Sequence, residues 1–469
     1  MNVSFLQELL NTVAEQSRAL LPKSLFGPGD DENIEALARA LMSVRGEASG
    51  VAIARQLLLQ LHKAPAGARR AFFSHLANDL QPDAVAVANA ARRYLDAPSE
   101  ATLIALQRAT ESPRREFFRR LNLAPGATGE IVALREELLR TPKSDLDLMA
   151  VDADLQKLLT SWFNRGFLVL RRIDWQTPAA ILEKIIAYEA VHEIKGWDDL
   201  RRRLDPADRR CFAFFHPSLV DEPLIFVEVA LLNDIPGAIA PVLDARRPEL
   251  GRPPTTAVFY SISNCQGGLR GISFGNFLLK QVVEELVREV PSLKTFVTLS
   301  PVPHFARWLD RTLAGDSAGL INDEDRRALK VLSDPRWAEM AADGANEREA
   351  LKQALLSSAA HYFLTARSND NRPIDPVARF HLGNGARLER INWLGDVSEK
   401  GLREAHGLMV NYRYEPADIE KNHEAYAQDG TVAASRAVKA LLRSAPKVKG
   451  LTAVPDLLAL PVTGKSRKS

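Results

Sequence analysis

The stretch Phe259-Tyr260-Ser261-Ile262-Ser263-Asn264-Cys265-Gln266-Gly267-Gly268-Leu269-Arg270-Gly271-Ile272-Ser273-Phe274-Gly275-Asn276-Phe277-Leu278-Leu279-Lys280 carries the grammar of the fold. Its first five residues are aromatic, β-branched or small, and read as a strand. A glycine-rich loop follows, and a helix is predicted over Gly275–Val290. Glycines let a backbone approach an anion closely, a helix start offers unpaired N–H groups, and Arg270 adds charge, so the loop suits pyrophosphate. It is not a Walker loop, because no Gly-Lys-Ser/Thr follows, and it lacks the Gly-x-Gly-x-x-Gly spacing of dinucleotide folds. A tight glycine turn without a ligand fits the same spacing.

Working outward, strand-like runs lie at Phe167–Leu170, Cys211–Phe215, Leu224–Leu231, Thr256–Ser263, Thr295–Ser300 and Val377–Ile391, the last broken near Gly383–Gly385. Helices are expected over Thr177–Ala190 and Asn322–Leu356, the latter capped by Asn322 and split at Ser333-Asp334-Pro335. Strand, loop, helix, strand is the order of an α/β layer. Residues 1–165 read instead as helices. Ser4-x-x-Gln7 is a capping box, Ser112-Pro113 is a cap followed by a first-turn proline, and Pro98-Ser99, Pro125-Gly126 and Pro142 punctuate the pattern. Within this region Arg69-Arg70-Ala71-Phe72-Phe73-Ser74-His75-Leu76 is echoed by Arg114-Arg115-Glu116-Phe117-Phe118-Arg119-Arg120-Leu121. Two copies do not establish a period, and they read as stacked helical hairpins. The paired arginines are expected to solvate their helices, with service at an interface as the alternative, and the region shows no chemistry of its own.

At 469 residues the chain exceeds what one core usually holds, so more than one domain is expected. Its formal net charge of +2 gives no global case for nucleic acid or an acidic membrane surface. The start lacks a basic n-region, no apolar run is long enough to span a membrane, and the closing Ser466-Arg467-Lys468-Ser469 is no peroxisomal address. Cys211 and Cys265 are the only cysteines; they form no disulfide framework and no Cys-x-x-Cys metal pair, and a reducing cytoplasm fits. With no His-Glu-x-x-His or similar cluster, no metal is expected.

Two residues stand out as chemical candidates. Ser300 ends the strand Thr295–Ser300 and precedes Pro301; a turn or cap serine is the plain alternative. In Val377-Ala378-Arg379-Phe380-His381-Leu382-Gly383 the alternation sets Ala378, Phe380 and Leu382 on one strand face and His381 on the polar face. There His381 would titrate near neutrality as a proton donor, or be one more hydrogen-bonded surface histidine. His304, His361, His406 and His423 are weaker candidates.

The loop resembles the phosphate loop of coenzyme-A-binding acetyltransferases, with Ser273 in place of its first glycine. Together with Ser300-Pro301-Val302-Pro303, Phe305 and the block Arg372–Ala386 continuing to Arg390-Ile391-Asn392-Trp393, it closely resembles the malonyl-CoA decarboxylase family. Weaker likeness runs through Trp175, Ala190-Val191-His192 and Arg209–His216, so that the resemblance covers most of residues 166 to about 440 and, more loosely, the helical part.

The character of the sequence changes at Gly166, and the Lys-, Pro- and Ser-containing residues 444–469 are expected to be a partly ordered tail; the resemblance implies an all-α oligomerisation domain over 1–165 and an acetyltransferase-like (GNAT-type) α/β catalytic domain over 166–443 of this multidomain chain. It puts the catalytic pair on Ser300 and His381, and the coenzyme A phosphates on Gln266, Gly267, Gly268, Leu269, Arg270, Gly271, Ile272, Ser273 and Gly275. Some family members carry a carboxylate at the position of Ser273. In the acetyltransferases the strands flanking the loop and its helix splay apart for the pantetheine arm, which would bring the thioester to Ser300. The implied reaction converts malonyl-CoA to acetyl-CoA and carbon dioxide, with coenzyme A as part of the substrate and no separate cofactor. The implied assembly is a homo-oligomer, dimer or tetramer; the cytoplasm, and neither nucleic acid nor membrane as partner, are the expectations from composition above. An acyl-CoA N-acyltransferase and a non-catalytic malonyl-CoA sensor are the competing readings.

Overall fold

The computed structural model describes residues 30–43, 46–141, 146–244, 252–272, 278–315, 320–334, 336–340, 345–369 and 371–442. The Ser4–Gln7 helix start, Pro142, Ser273, Gly275 and the 444–469 tail lie outside them. The chain forms two compact units. The first takes in the described residues of 1–169, 214–225 and 264–275, and the second those of 170–213, 226–263 and 276–469.

The helical reading of the N-terminal part holds for its described residues: α1 (Asp30–Ser43), α2 (Glu47–Lys63), α3 (Ala66–Asp79), α4 (Ala84–Asp96), α5 (Glu100–Thr110), α6 (Pro113–Leu121), α7 (Ala127–Leu138) and α8 (Leu146–Trp162). The punctuation acts as expected. Ser112 accepts the Arg114 N–H at 3.2 Å with Pro113 opening α6, and Ser99 and Thr102 close a capping box on α5. The echoed motif lies on α3 and α6, where Phe72, Phe73, Phe117 and Phe118 are all buried. Phe72 and Phe117 meet across the two helices with ring centroids 5.9 Å apart. One expectation fails here. Arg114 does not solvate its helix: it is buried, donates to Asp154 at 2.9 Å and to the carbonyl of Ala77 at 3.2 Å. A guanidinium enters a core only with its donors matched, and these partners match them.

The sheet has eight strands: β1 (Val169–Ile173), β2 (Arg209–Phe215), β3 (Pro223–Leu232), β4 (Thr256–Asn264), β5 (Thr295–Thr298), β6 (Ser300–Pro301), β7 (Arg387–Asn392) and β8 (Met409–Arg413). Their order is β1-β2-β3-β4-β5-β8-β6, with β7 on the other edge of β8. Around them run α9 (Ala179–Tyr188), α10 (Trp197–Leu204), α11 (Leu278–Glu289), α12 (Asp323–Leu329), α13 (Ala345–Leu364), α14 (Pro376–Gly383) and α15 (Glu399–Ala405). Asn322 caps α12, accepting the Asp325 N–H at 2.8 Å.

β3 is buried along its whole length, which explains its near-continuous apolar run. The one exception, Glu228, is fully buried and takes a 3.0 Å bond from Arg203 of α10; burial still raises its carboxyl to about 8. β4 pairs in parallel with β5 from Thr256↔Thr295 to Phe259↔Thr298. Beyond that point β4 runs on to Asn264, while the chain after β5 continues as β6 along β8, with Ser300 opposite Val410. The partners thus change just before Ser300.

Two strand expectations are corrected. The run at Phe167–Leu170 begins as a 3₁₀ turn over Arg165–Phe167, and the strand starts at Val169. Val377–Ile391 is not one broken strand: its first half is α14, and only Arg387–Asn392 is a strand. The apparent alternation misled because a helix is also satisfied there. Ala378, His381 and Leu382 are the buried residues, at helical spacing, while Phe380 stays 37% exposed. Asp375-Pro376 supplies the cap and the first-turn proline, with the Asp375 carboxylate accepting the Ala378 N–H at 2.8 Å.

Candidate functional site

The loop after β4 begins at Cys265, whose N–H donates to the Leu224 carbonyl at 2.9 Å. Gly267–Leu269 forms a 3₁₀ turn, closed by Arg270 N–H to the Gly267 carbonyl at 3.1 Å. Gln266 spends its side-chain amide on the Pro223 carbonyl at 3.2 Å. Leu269 and Ile272 are buried and anchor the loop. Gly271 adopts φ +80°, a conformation that favours glycine. Arg270 is exposed, and its guanidinium makes no hydrogen bond or ion pair among the described residues. The loop lies with the helical unit. There Gly268 passes so close to the Val132 carbonyl of α7 that any Cβ would collide with it.

The second cluster lies in the sheet unit. The Ser300 hydroxyl on β6 is 3.1 Å from Nε2 of His381 on α14, so the structure brings these two predicted residues together. Both are buried, Ser300 at 6% and His381 at 3% exposure. The His381 ring stacks on Tyr412 of β8 with centroids 4.5 Å apart, and Nδ1 lies 2.8 Å from the Tyr414 hydroxyl. Ser300 also donates to Thr298 Oγ1 at 2.9 Å, and that same oxygen accepts the Tyr412 backbone N–H at 3.1 Å.

With the Ser300 proton on Thr298, Ser300 Oγ is left to accept an Nε2–H of His381, and Nδ1 then accepts from Tyr414. Burial pushes the His381 imidazole down to about 3, the opposite of titration near neutrality on a polar strand face. The Tyr414 phenol is driven well above its ordinary range by burial and stays protonated, as a donor must.

The supports of α14 and of β4 are equally specific. The Asp375 cap of α14 also accepts the Tyr362 hydroxyl of α13 at 3.1 Å. On β4, Ser261 donates to the Glu189 carboxylate at 2.7 Å, and Glu189 accepts the N–H groups of Val191 and His192 at 2.8 Å each. Of the weaker histidines, His423 bonds the Gly383 carbonyl at 2.7 Å, beneath the end of α14, and His361 is buried in α13. Tyr414 and Thr298 were not picked out from sequence. The alternation in Met409-Val410-Asn411-Tyr412-Arg413-Tyr414 is the available signal, but nothing local ties it to His381.

Comparison with known proteins agrees with this layout. The model of the malonyl-CoA decarboxylase C-terminal domain matches residues 166–452, and that of the N-terminal domain matches residues 80–163. Malonyl-CoA decarboxylase from Agrobacterium vitis is 58% identical, with a TM-score of 0.82 over 88% of this chain and 100% of that one. The enzyme from Rhodopseudomonas palustris is 53% identical, with a TM-score of 0.81 over the same shares. A relative from Anser anser anser, named mitochondrial malonyl-CoA decarboxylase, is 36% identical over 80% of each chain. A helical part followed by a mixed α/β sheet with these relatives defines a carboxy-lyase. The chain belongs to the malonyl-CoA decarboxylase family.

Proposed function

We propose that the chain decarboxylates malonyl-CoA through a thioester enolate, with Ser300 orienting the carboxylate and His381 protonating C2. The contact between Ser300 Oγ and His381 Nε2, 3.1 Å in a buried setting, carries the reading. The thioester carbonyl is the electron sink, so no separate cofactor is required. As the bond from C2 to the carboxylate breaks, its electron pair flows into the carbonyl and carbon dioxide leaves. One proton is then added at C2 to give acetyl-CoA. Holding the breaking bond perpendicular to the carbonyl plane is positioning work: the Ser300 hydroxyl, which rests on Thr298 without substrate, turns its proton to the incoming carboxylate.

A neutral His381 suits this task. Its Nε2–H faces Ser300, and the enolate carbon is a far stronger base than imidazole. The incoming malonyl carboxylate also raises the proton affinity of the ring. Tyr414 can follow the proton into Nδ1, with replacement from water. An N-acyltransferase would need a free base beside an amine cleft, whereas both ring nitrogens here are already engaged.

The coenzyme A phosphates are assigned to the Gln266–Gly275 loop, with the exposed Arg270 as the charged partner. The assembly is proposed to be a homo-oligomer built through α4 and α5. Neither helix has a buried residue, and Val85, Leu95 and Ile104 are 68%, 75% and 42% exposed. Among the described residues no helix is long and apolar enough to cross a membrane. The buried thiols Cys211 and Cys265, which form no disulfide, favour a reducing compartment, and the cytoplasm is the proposal; "mitochondrial" belongs to the names of the goose and rodent relatives.

The deciding experiment is carbon dioxide release from carboxyl-labelled malonyl-CoA by wild type and His381→Asn. His381→Asn is expected to lose about 10²–10⁴-fold in kcat while keeping coenzyme A affinity. Near-normal turnover in the folded variant removes His381 from the mechanism, and a wild type that binds coenzyme A without releasing carbon dioxide overturns the reaction itself.

A further inference from the structure

We propose that Arg135, in the helical unit, is a positioning residue for the coenzyme A loop, so that the helical domain takes part in substrate binding as well as assembly. The inference rests on the reading of that loop as the phosphate site. Arg135 of α7 is 1% exposed, far from the usual place of an arginine. Its Nη1 donates to the Gly268 carbonyl at 2.6 Å and to the Arg270 carbonyl at 3.0 Å. Its Nε donates to Asp152 of α8 at 2.7 Å, which fixes the plane of the guanidinium. Gln156 of α8 adds a longer contact to the Gly271 carbonyl at 3.4 Å.

Apolar packing alone would hold a loop in place without the cost of burying a charge. What the guanidinium does, and apolar packing does not, is set the direction of peptide planes. In a trans peptide the carbonyl of one residue and the N–H of the next point opposite ways, and the described chain has no cis peptide bond. Turning the Arg270 carbonyl onto Arg135 therefore aims the Gly271 N–H away from α7. Gly271 is exposed, beside the exposed Arg270, and its N–H is uncommitted among the described residues. Gly268, held against the Val132 carbonyl, keeps the turn seated on α7. An anion arriving there meets an N–H and a guanidinium already in place.

The test is the steady-state KM and kcat for malonyl-CoA of the full chain carrying Arg135→Ala, with Arg270→Ala in parallel. A positioning role raises KM about tenfold while kcat falls less than about twofold. A merely structural role lowers the active fraction, and hence kcat, at unchanged KM. If Arg135→Ala does not fold, Asp152→Asn reads the same split at a milder site, with an expected rise in KM of about threefold. Unchanged KM in the folded variant overturns the proposal. If KM rises in Arg270→Ala but not in the Arg135 or Asp152 variant, the loop binds phosphate and only the positioning role fails. If Arg270→Ala also leaves KM unchanged, the phosphate reading falls first.

Discussion

At the scale of single residues, the proposed mechanism turns on where protons sit. Tyr414, His381, Ser300 and Thr298 form one hydrogen-bonded chain that ends on the Tyr412 backbone N–H. Tyr414→Phe removes the donor to Nδ1 and frees the other tautomer. It is expected to lower kcat roughly tenfold with little change in KM, measured by carbon dioxide release. Burial sets the charge of the ring. His381 holds its proton only below about 3, against 6.5 when exposed, so between these values the unfolded chain binds the proton and the folded one does not. Its contribution to stability is present above 6.5 and is lost as pH falls toward 3. Thermal melts of the apoenzyme from pH 7 to 4 should therefore drop more steeply for wild type than for His381→Asn. Parallel curves would show that His381 is not held neutral by the fold. His192, lowered to about 4 by burial, adds a similar slope that both proteins share.

At the scale of elements, each chemical residue sits at a junction. α14 carries His381, and its cap, Asp375, is tied to α13 through Tyr362. Asp375→Ala removes the cap and strands a buried phenol. The cap alone is worth about 0.5–2 kcal/mol, and the larger consequence is a looser His381, seen as a fall in kcat beyond any loss of folded protein. β5 and β6 share one register along β8, which delivers Ser300 opposite Val410, across from β7. In the helical unit the echoed Phe pairs serve the core. Phe117→Ala is expected to cost about 3–5 kcal/mol in denaturant unfolding, while the folded fraction keeps its kcat.

At the scale of the whole molecule, the proposed assembly and the chemistry can be separated. Leu95→Asp combined with Ile104→Asp places charge on the exposed helices α4 and α5. The expected outcome is a lower mass by light scattering, with wild type heavier than its 51.8 kDa chain. A wild type that runs at monomer mass removes the assembly proposal and leaves the decarboxylation reading untouched.

The sequence by itself determined the class of each half. Helical spacing with caps at Ser112 and Asn322 marked α elements, and the apolar run of β3 with the glycine loop after β4 marked an α/β layer. These signals are local, so a linear reading finds them. Motif resemblance made a catalytic pair of Ser300 and His381, two candidates already legible in the residues, though without their geometry. That His381 lies on a helix was legible in Asp375-Pro376, yet the alternation of apolar residues around it fits both periods at so short a length. Only the tertiary structure decided the rest. The contact of His381 with Ser300, its stacking on Tyr412 and bond to Tyr414, and the hold of Arg135 on loop carbonyls 133 and 135 positions further along all join residues far apart in the chain. Burial reversed the expected protonation of His381 for the same reason: desolvation depends on what surrounds a ring in space, and its sequence neighbours do not specify that.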